Sequence, residues 1–393
     1  MKNRVAVLAV GLCMSLVACR GDSARGNVIV DTIGGVPSVT NPAQGALGDT
    51  VPWTLEQYLV VAADQLYDRL PTVLAVDVGI LPNGSVLVLD ASNNRIMRFD
   101  SLGSYVGSFG ESGTGPGAFV APFFLEVAES EIYVLDIELN RVTAFDTSGV
   151  FLRRFDIDLG GLVGTTGIFV AGGPGELYLA GEPAPFLSEA QDTGRAVLLR
   201  LDSSGSIADT VLTYTASNWT AIRRPDGGVS YVKPRFAPEP RLSAKPGAVA
   251  VTAVARYAIE VRQPDGVVLR RVSRAYENVV VTAALRDSII DIMVQGGLPR
   301  EALETVPFAH FIPAIERVVL DDQGRLWVDP LIPEEPTRRD VFDASGRFLG
   351  AIYLPIPMRL EDVQGDRACG TVTQPSGATA VICFRVREGG GGP

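Results

Sequence analysis

Three carboxylates, Glu126, Glu316 and Asp362, offer the sequence's clearest opening for chemistry. Each falls on a strand that the repeat pattern places innermost in its unit, so the three could face a common axis. Oxygen ligands converging there could hold a hard cation, although no motif selects one. Asp90 and Asp136 invite a catalytic reading, but acids that recur at one repeat position more simply bond backbone amides at a strand end. Arg95 and Arg141 could hold an anionic ligand at a rim or bridge neighbouring strands. His310, in Phe308-Ala309-His310-Phe311, is the single histidine, and in that apolar setting it reads as a packed side chain before a ligand. It has no recognisable partners for Ser/His/Asp chemistry. The glycines from Gly110 to Gly117 lack the Lys-Ser/Thr ending and the following helix of a phosphate cradle, so they read as a crossing between units. No catalytic residue is assigned.

These side chains are carried by a pattern written twice at an offset of 46 residues. One copy runs Val88-Leu89-Asp90, Asn94-Arg95, Phe99-Asp100, Gly103, Phe109; the other runs Val134-Leu135-Asp136, Asn140-Arg141, Phe145-Asp146, Gly149, Phe155. Short alternating strands separated by turn residues make each copy about one blade of a β-propeller. A third blade is read over residues 167–212, with a proline-bearing loop at 181–192. A less regular fourth spans 219–272 and includes a Pro-rich loop after Lys233. A clear fifth covers 315–353, and a sixth, 360–386, lacks one strand. Closing the ring calls for an N-terminal strand, Trp53 to Ala62 or else Val28 to Val39. Between blades four and five the apolar period changes. Leu285, Ile289, Ile292 and Met293 share a helical face within an insertion at about 282–304, read as a packed connection before a lid. The expected fold is all-β: a six-bladed propeller over 52–388 with one short helical insertion and a Gly-rich tail at 389–393.

The N-terminus reads as an address. Lys2 and Arg4 precede an apolar run from Val5 to Val17, too short to span a bilayer, so residues 1–18 read as a signal peptide. Leu16-Val17-Ala18-Cys19 resembles the lipobox of bacterial lipoproteins, which implies cleavage before Cys19 and lipid attachment there. Arg20, where many inner-membrane lipoproteins carry Asp, favours the outer membrane by the same resemblance. Residues 19–51, rich in Gly, Ser, Thr, Pro and Asn, read as a tether with one or two short β pieces. Cys369 and Cys383 lie equidistant from Ser376 in a hairpin turn, an arrangement that suits a disulfide in an exported chain. The formal charge of −11 falls to −13 once Lys2 and Arg4 leave with the signal, which argues against nucleic acid as a partner.

The two strong copies resemble NHL repeats and, more widely, the six-bladed TolB-like propellers. The carrying residues run from Val88-Leu89-Asp90 through Asn94-Arg95-Ile96 to Phe99-Asp100, and from Val134-Leu135-Asp136 through Asn140-Arg141-Val142 to Phe145-Asp146. The histidine usual between amide and arginine is absent from both. The resemblance implies fold more than activity, because this scaffold hosts binding modules, lactonases and lyases. The expectation is a non-catalytic lipoprotein that binds an envelope protein or extracellular ligand and needs no cofactor. The alternative is a calcium-dependent hydrolase or lactonase with its site in the central channel.

Overall fold

The computed structural model describes residues 27–62, 75–157, 162–183, 195–215, 219–253, 255–374 and 379–389. Cys19, the signal and most of the 181–192 loop lie outside the described residues. Six blades, each of four antiparallel strands, stand around one axis, and each has an inner strand whose free edge faces that axis. The inner strands are Ala75–Ile80, Pro122–Ala128, Leu162–Gly173, Arg241–Lys245, Ile315–Leu320 and Arg359–Gln364, and they define blades 1 to 6 in order. The chain is an all-β six-bladed propeller.

The apolar core lies between blades rather than within them. Leu87, Leu89 and Ile96 of blade 1 pack on Leu125, Ile132 and Val134 of blade 2. Equivalent clusters fill the other joints, including blade 6 against blade 1 through Val61, Val78, Val381 and Cys383. Strand alternation produces this, since each sheet turns one set of side chains toward each neighbour.

The repeat residues serve these joints. Asp100, Asp146, Asp202 and Asp343 each open the turn between third and fourth strands, accepting backbone N–H groups two and four residues ahead through one carboxylate oxygen. The turn closes on a glycine with φ near +90°. At Gly149 a Cβ would stand 2.7 Å from the Phe109 ring of blade 1, so the position needs both the left-handed backbone and the missing side chain. Asn94 and Asn140 likewise have φ of 50° and 46°, values that Asn tolerates better than most residues.

Trp53–Val61 closes the ring by pairing antiparallel with Thr379–Glu388 as the outer strand of blade 6. Cys369 and Cys383 face each other in register and are joined, S–S 2.06 Å. The other closure candidate has a different place. Ile29–Ile33 and Val36–Asn41 form a hairpin that extends blade 4, with Ser38 beside Arg271 in a parallel pair. The chain then runs along blade 5, where Val51 donates to the Ala351 carbonyl at 2.8 Å. Much of the stretch expected to be tether is therefore folded against the ring, held by Asn41 bonds to Ser273, Gly346 and Phe348.

Blade 4 also differs from expectation. Its inner strand is Arg241–Lys245, hidden in sequence between Pro240 and Pro246 and lacking β-branched residues. Thr220–Arg223 and Val229–Val232, read as blade strands, form a separate hairpin instead. That hairpin packs Ile222 and Val232 against Ile290, Leu303 and Val306 of the helical insertion. The helix spans Ala283–Gln295, capped at its start by the Thr282 side chain. Its buried residue is Ile290, while Ile292 is 64% exposed, because the inward face is set by the hairpin and not by the apolar period alone.

Candidate binding channel

Inner strands run parallel to one another, from a mouth face toward the face that carries the hairpin turns. Both insertions, the 220–232 hairpin and the helix, interrupt blade-to-blade connections and so flank the mouth. Inside lies a cavity of about 980 Å³ lined by Asp77, Glu126, Arg241, Lys245, Arg317, Asp329, Arg339, Arg359, Glu361 and Asp362, with Phe123, Leu331 and Pro357 among its apolar lining.

The free edges of inner strands leave N–H groups without ladder partners, and channel side chains supply acceptors. Asp362 of blade 6 accepts from Ile80 N of blade 1 at 2.9 Å, and Asp77 of blade 1 accepts from Leu125 N of blade 2 at 2.9 Å. Glu126 of blade 2 accepts from Ala171 N of blade 3 at 3.3 Å, and Ser243 of blade 4 from Leu320 N of blade 5 at 2.9 Å. An Arg317–Glu361 ion pair at 2.5 Å joins blade 5 to blade 6. Five of the six blade joints, all but that between blades 3 and 4, thus carry a polar tie among the described residues.

Lys245 crosses the lumen from blade 4 to blade 6, with Nζ 3.0 Å from Asp362 Oδ1 and 3.3 Å from Gln364 Oε1. It forms the cavity floor, and a second cavity of about 380 Å³, also touched by Gln364, Pro82 and Arg270, lies beyond it. Arg339 Nε stands 2.6 Å from Asp329 Oδ1, an ion pair without hydrogen-bond alignment.

Enclosure dominates the titration of these groups. Although Asp77 keeps partial solvent contact, desolvation and then the Glu361 charge push its carboxyl up to about 8. Desolvation, then Asp77, raises Glu126 well above the usual range. Burial lifts Asp329 to about 7 against the pull of Arg339. Burial raises Glu361 too, opposed by Arg317. For Lys245 burial works the other way, but Asp362, Glu126 and Asp322 together outweigh it, so the ammonium is held more firmly than in water.

The three sequence candidates fare differently. Glu126 and Asp362 do line the channel, but both serve blade joints, and the Lys245 ammonium already sits on Asp362. Glu316 lines the cavity too, exposed at its mouth, where its backbone carbonyl accepts from Arg241. The three do not form one calcium ligand set, and among the described residues no group of three or more His, Cys, Asp or Glu side chains is arranged to hold a metal. Asp90 takes Arg95 at 2.9 Å, whereas Asp136 accepts the backbone N–H groups of Val120, Ala121, Glu138 and Leu139. Arg141 reaches the carbonyls of Thr114 and Ala118, pinning the glycine-rich crossing. Both arginines hold the fold together where they stand. His310 is exposed, its ring edge-on to Phe311 at 4.4 Å, not packed as expected. Asp77, Lys245, Arg317 and Glu361 were missed; their inner-strand position was the available signal.

The model of a family described as a 6-bladed beta-propeller matches residues 78–166, the stretch that holds the two clearest repeats. Among solved structures, a Bacteroides fragilis protein described in name alone as exported is 14% identical, with 90% of this chain and 99% of that one covered and a TM-score of 0.50. The calcium-binding protein regucalcin of Agrobacterium tumefaciens is 12% identical, covering 87% and 97%, TM-score 0.42. A gluconolactonase of Xanthomonas campestris is 13% identical, covering 80% and 86%, TM-score 0.41. No curated protein matches the chain in sequence. Identities this low speak for fold alone, and with the observed ring they make the chain a six-bladed β-propeller.

Proposed function

We propose that the chain is a lipid-anchored cell-envelope propeller of NHL-like repeats that acts as a non-catalytic binding module, with the central channel as its ligand site. The observation that supports this reading is the way the enclosed channel carboxylates are used: Asp77, Glu126 and Asp362 accept a backbone N–H across a blade joint, and Asp329, Glu361 and Asp362 pair with Arg or Lys. Such groups form a rigid, preformed polar surface of the kind that recognition needs. Cys19 would carry the lipid, at the outer membrane. Among the described residues no helix is long and apolar enough to cross a membrane.

A second reading, a hydrolase or lactonase, draws on the neighbouring acids Asp77 and Glu126, whose raised pKa values would suit proton transfer. Calcium does not fit the positions of Glu126, Glu316 and Asp362, so no step is assigned to it. The test is calorimetry with calcium and a lactone hydrolysis screen, both on the chain from Arg20 onward and on its Glu126→Gln variant. The binding reading expects neither calcium heat nor turnover. Turnover lost in the variant would replace it with the enzyme.

A further inference from the structure

The channel charges are not evenly balanced along the axis. Glu361, Asp362 and Asp329 each have an Arg or Lys within 4 Å. Among the described residues Asp77 and Glu126, on adjacent blades 1 and 2, have none within that distance; Arg317 acts on Asp77 and Lys245 on Glu126 only from further away. Two guanidiniums stand at the mouth. Arg241 and Arg359 are the first residues of their inner strands. Arg359 is 58% exposed and uses only Nε, on Glu361, so its terminal nitrogens face solvent. Arg241 uses Nε on the Glu316 carbonyl and Nη1 on Pro240 O and Glu239. Glu239 is shared with Lys233 and Glu361 with Arg317, so neither arginine has an acid to itself, though Glu316 also stands at the mouth.

Counted back from the hairpin ends, the arginines sit about two residues nearer the mouth than the acids. At about 3.3 Å per strand residue that is an axial offset of about 7 Å. The ends of a dipeptide or tripeptide, at up to about 3.5 Å per residue, lie about 7 to 10 Å apart. The cavity, at about 980 Å³, has the volume for such a ligand, and Phe123, 43% exposed, offers an apolar wall for a side chain.

We propose that the channel binds short zwitterionic peptides, amine end inward on Asp77 and Glu126 and carboxylate at the mouth on Arg359 and Arg241. This rests on the binding reading above and names its ligand class. Charge-assisted bonds of this kind contribute enough for about tenfold or more each.

The test is calorimetry on the chain from Cys19 onward, with trialanine, N-acetyl-trialanine and trialanine amide as probes, at neutral pH in two buffers of different ionisation enthalpy, because an ammonium seated on acids that burial keeps protonated must displace a proton. Trialanine should bind, and each capped form should bind at least tenfold more weakly. Arg359→Gln, at an exposed position where folding is not at stake, should weaken trialanine but leave trialanine amide unchanged. Glu126→Gln should weaken trialanine and spare the acetylated form. Equal affinity for capped and free peptides, or no binding of any, would overturn the proposal while leaving the binding reading standing. Lactone turnover, by contrast, would remove that reading itself.

Discussion

Replacing Asp77 by Asn sets two opposed effects against each other, and pH decides which wins. The wild-type carboxyl titrates near 8 in the folded chain, against about 3.9 in an unfolded one. Between those values the folded protein holds a proton that the unfolded chain has released. Stability contributed by this group is therefore present at acidic pH and is lost as pH rises toward 8, with a limiting slope of about 1.4 kcal/mol per unit. The full window would give about 6 kcal/mol; solvent contact and Arg317 relax the charge, so about 2 kcal/mol between pH 5 and 9 is the expected share. Asn cannot ionise and escapes that loss. It has a single acceptor oxygen, however, and must give up one of the two bonds that Asp77 accepts from Val78 N and Leu125 N, each at 2.9 Å. That costs about 1 kcal/mol at every pH. Asp77→Asn should thus be about 1 kcal/mol less stable than wild type at pH 5 and about 1 kcal/mol more stable at pH 9, crossing near neutrality. Urea unfolding followed by fluorescence of the three tryptophans reads this directly. The contribution of Asp329, which does not feel the Asp77 charge, cancels in the difference, whereas Glu126 and Glu361, which do, titrate lower in the variant and add to its advantage at high pH. Two parallel stability curves from pH 5 to 9 would show that Asp77 is ionised throughout, and the reasoning would fail.

Two further perturbations probe the ring itself. Gly149→Ala should destabilise by about 2 to 3 kcal/mol, since φ is +93° and the added methyl meets Phe109; Gly34→Ala, also left-handed at +61° but with nothing within 4 Å, should cost about 1 kcal/mol, and equal losses in thermal melts would deny the inter-blade contact any weight. Removing the Cys369–Cys383 link, which closes a 14-residue separation, by the double Ala variant should cost about 3 kcal/mol in denaturant unfolding. A double variant as stable as wild type would mean that the register of the ring-closing sheet is fixed without it.

What could be read from the sequence is what the chain settles locally. Asp146 and Gly149 bond or bend within a few residues of each other, so the same letters recur wherever the same turn recurs, and blades 1, 2 and 5 were legible at once. Asn94 and Asn140 belong to the same class, since their backbone demands the residue type. The channel follows a different rule. Asp362 meets Ile80 across 282 residues and Lys245 meets Asp362 across 117, and no spacing in the chain foretells either bond. Blade 4 was misplaced for a related reason: its inner strand is held by the neighbours it joins, through Ser243 and Arg241, so its own residues need little strand propensity. The helix face erred at Ile292 because an inserted hairpin chooses which residues are covered. The division has a functional consequence. The repeat residues make the ring, and because they do so wholly at the joints and outer turns, the inner strands are released from the repeat and can differ blade by blade. The wall that results carries Asp77 and Glu126 on one side and Arg241, Arg317 and Arg359 on the other, an asymmetry that a strictly repeated inner strand could not produce. A ligand that matches it must itself be unequal at its two ends.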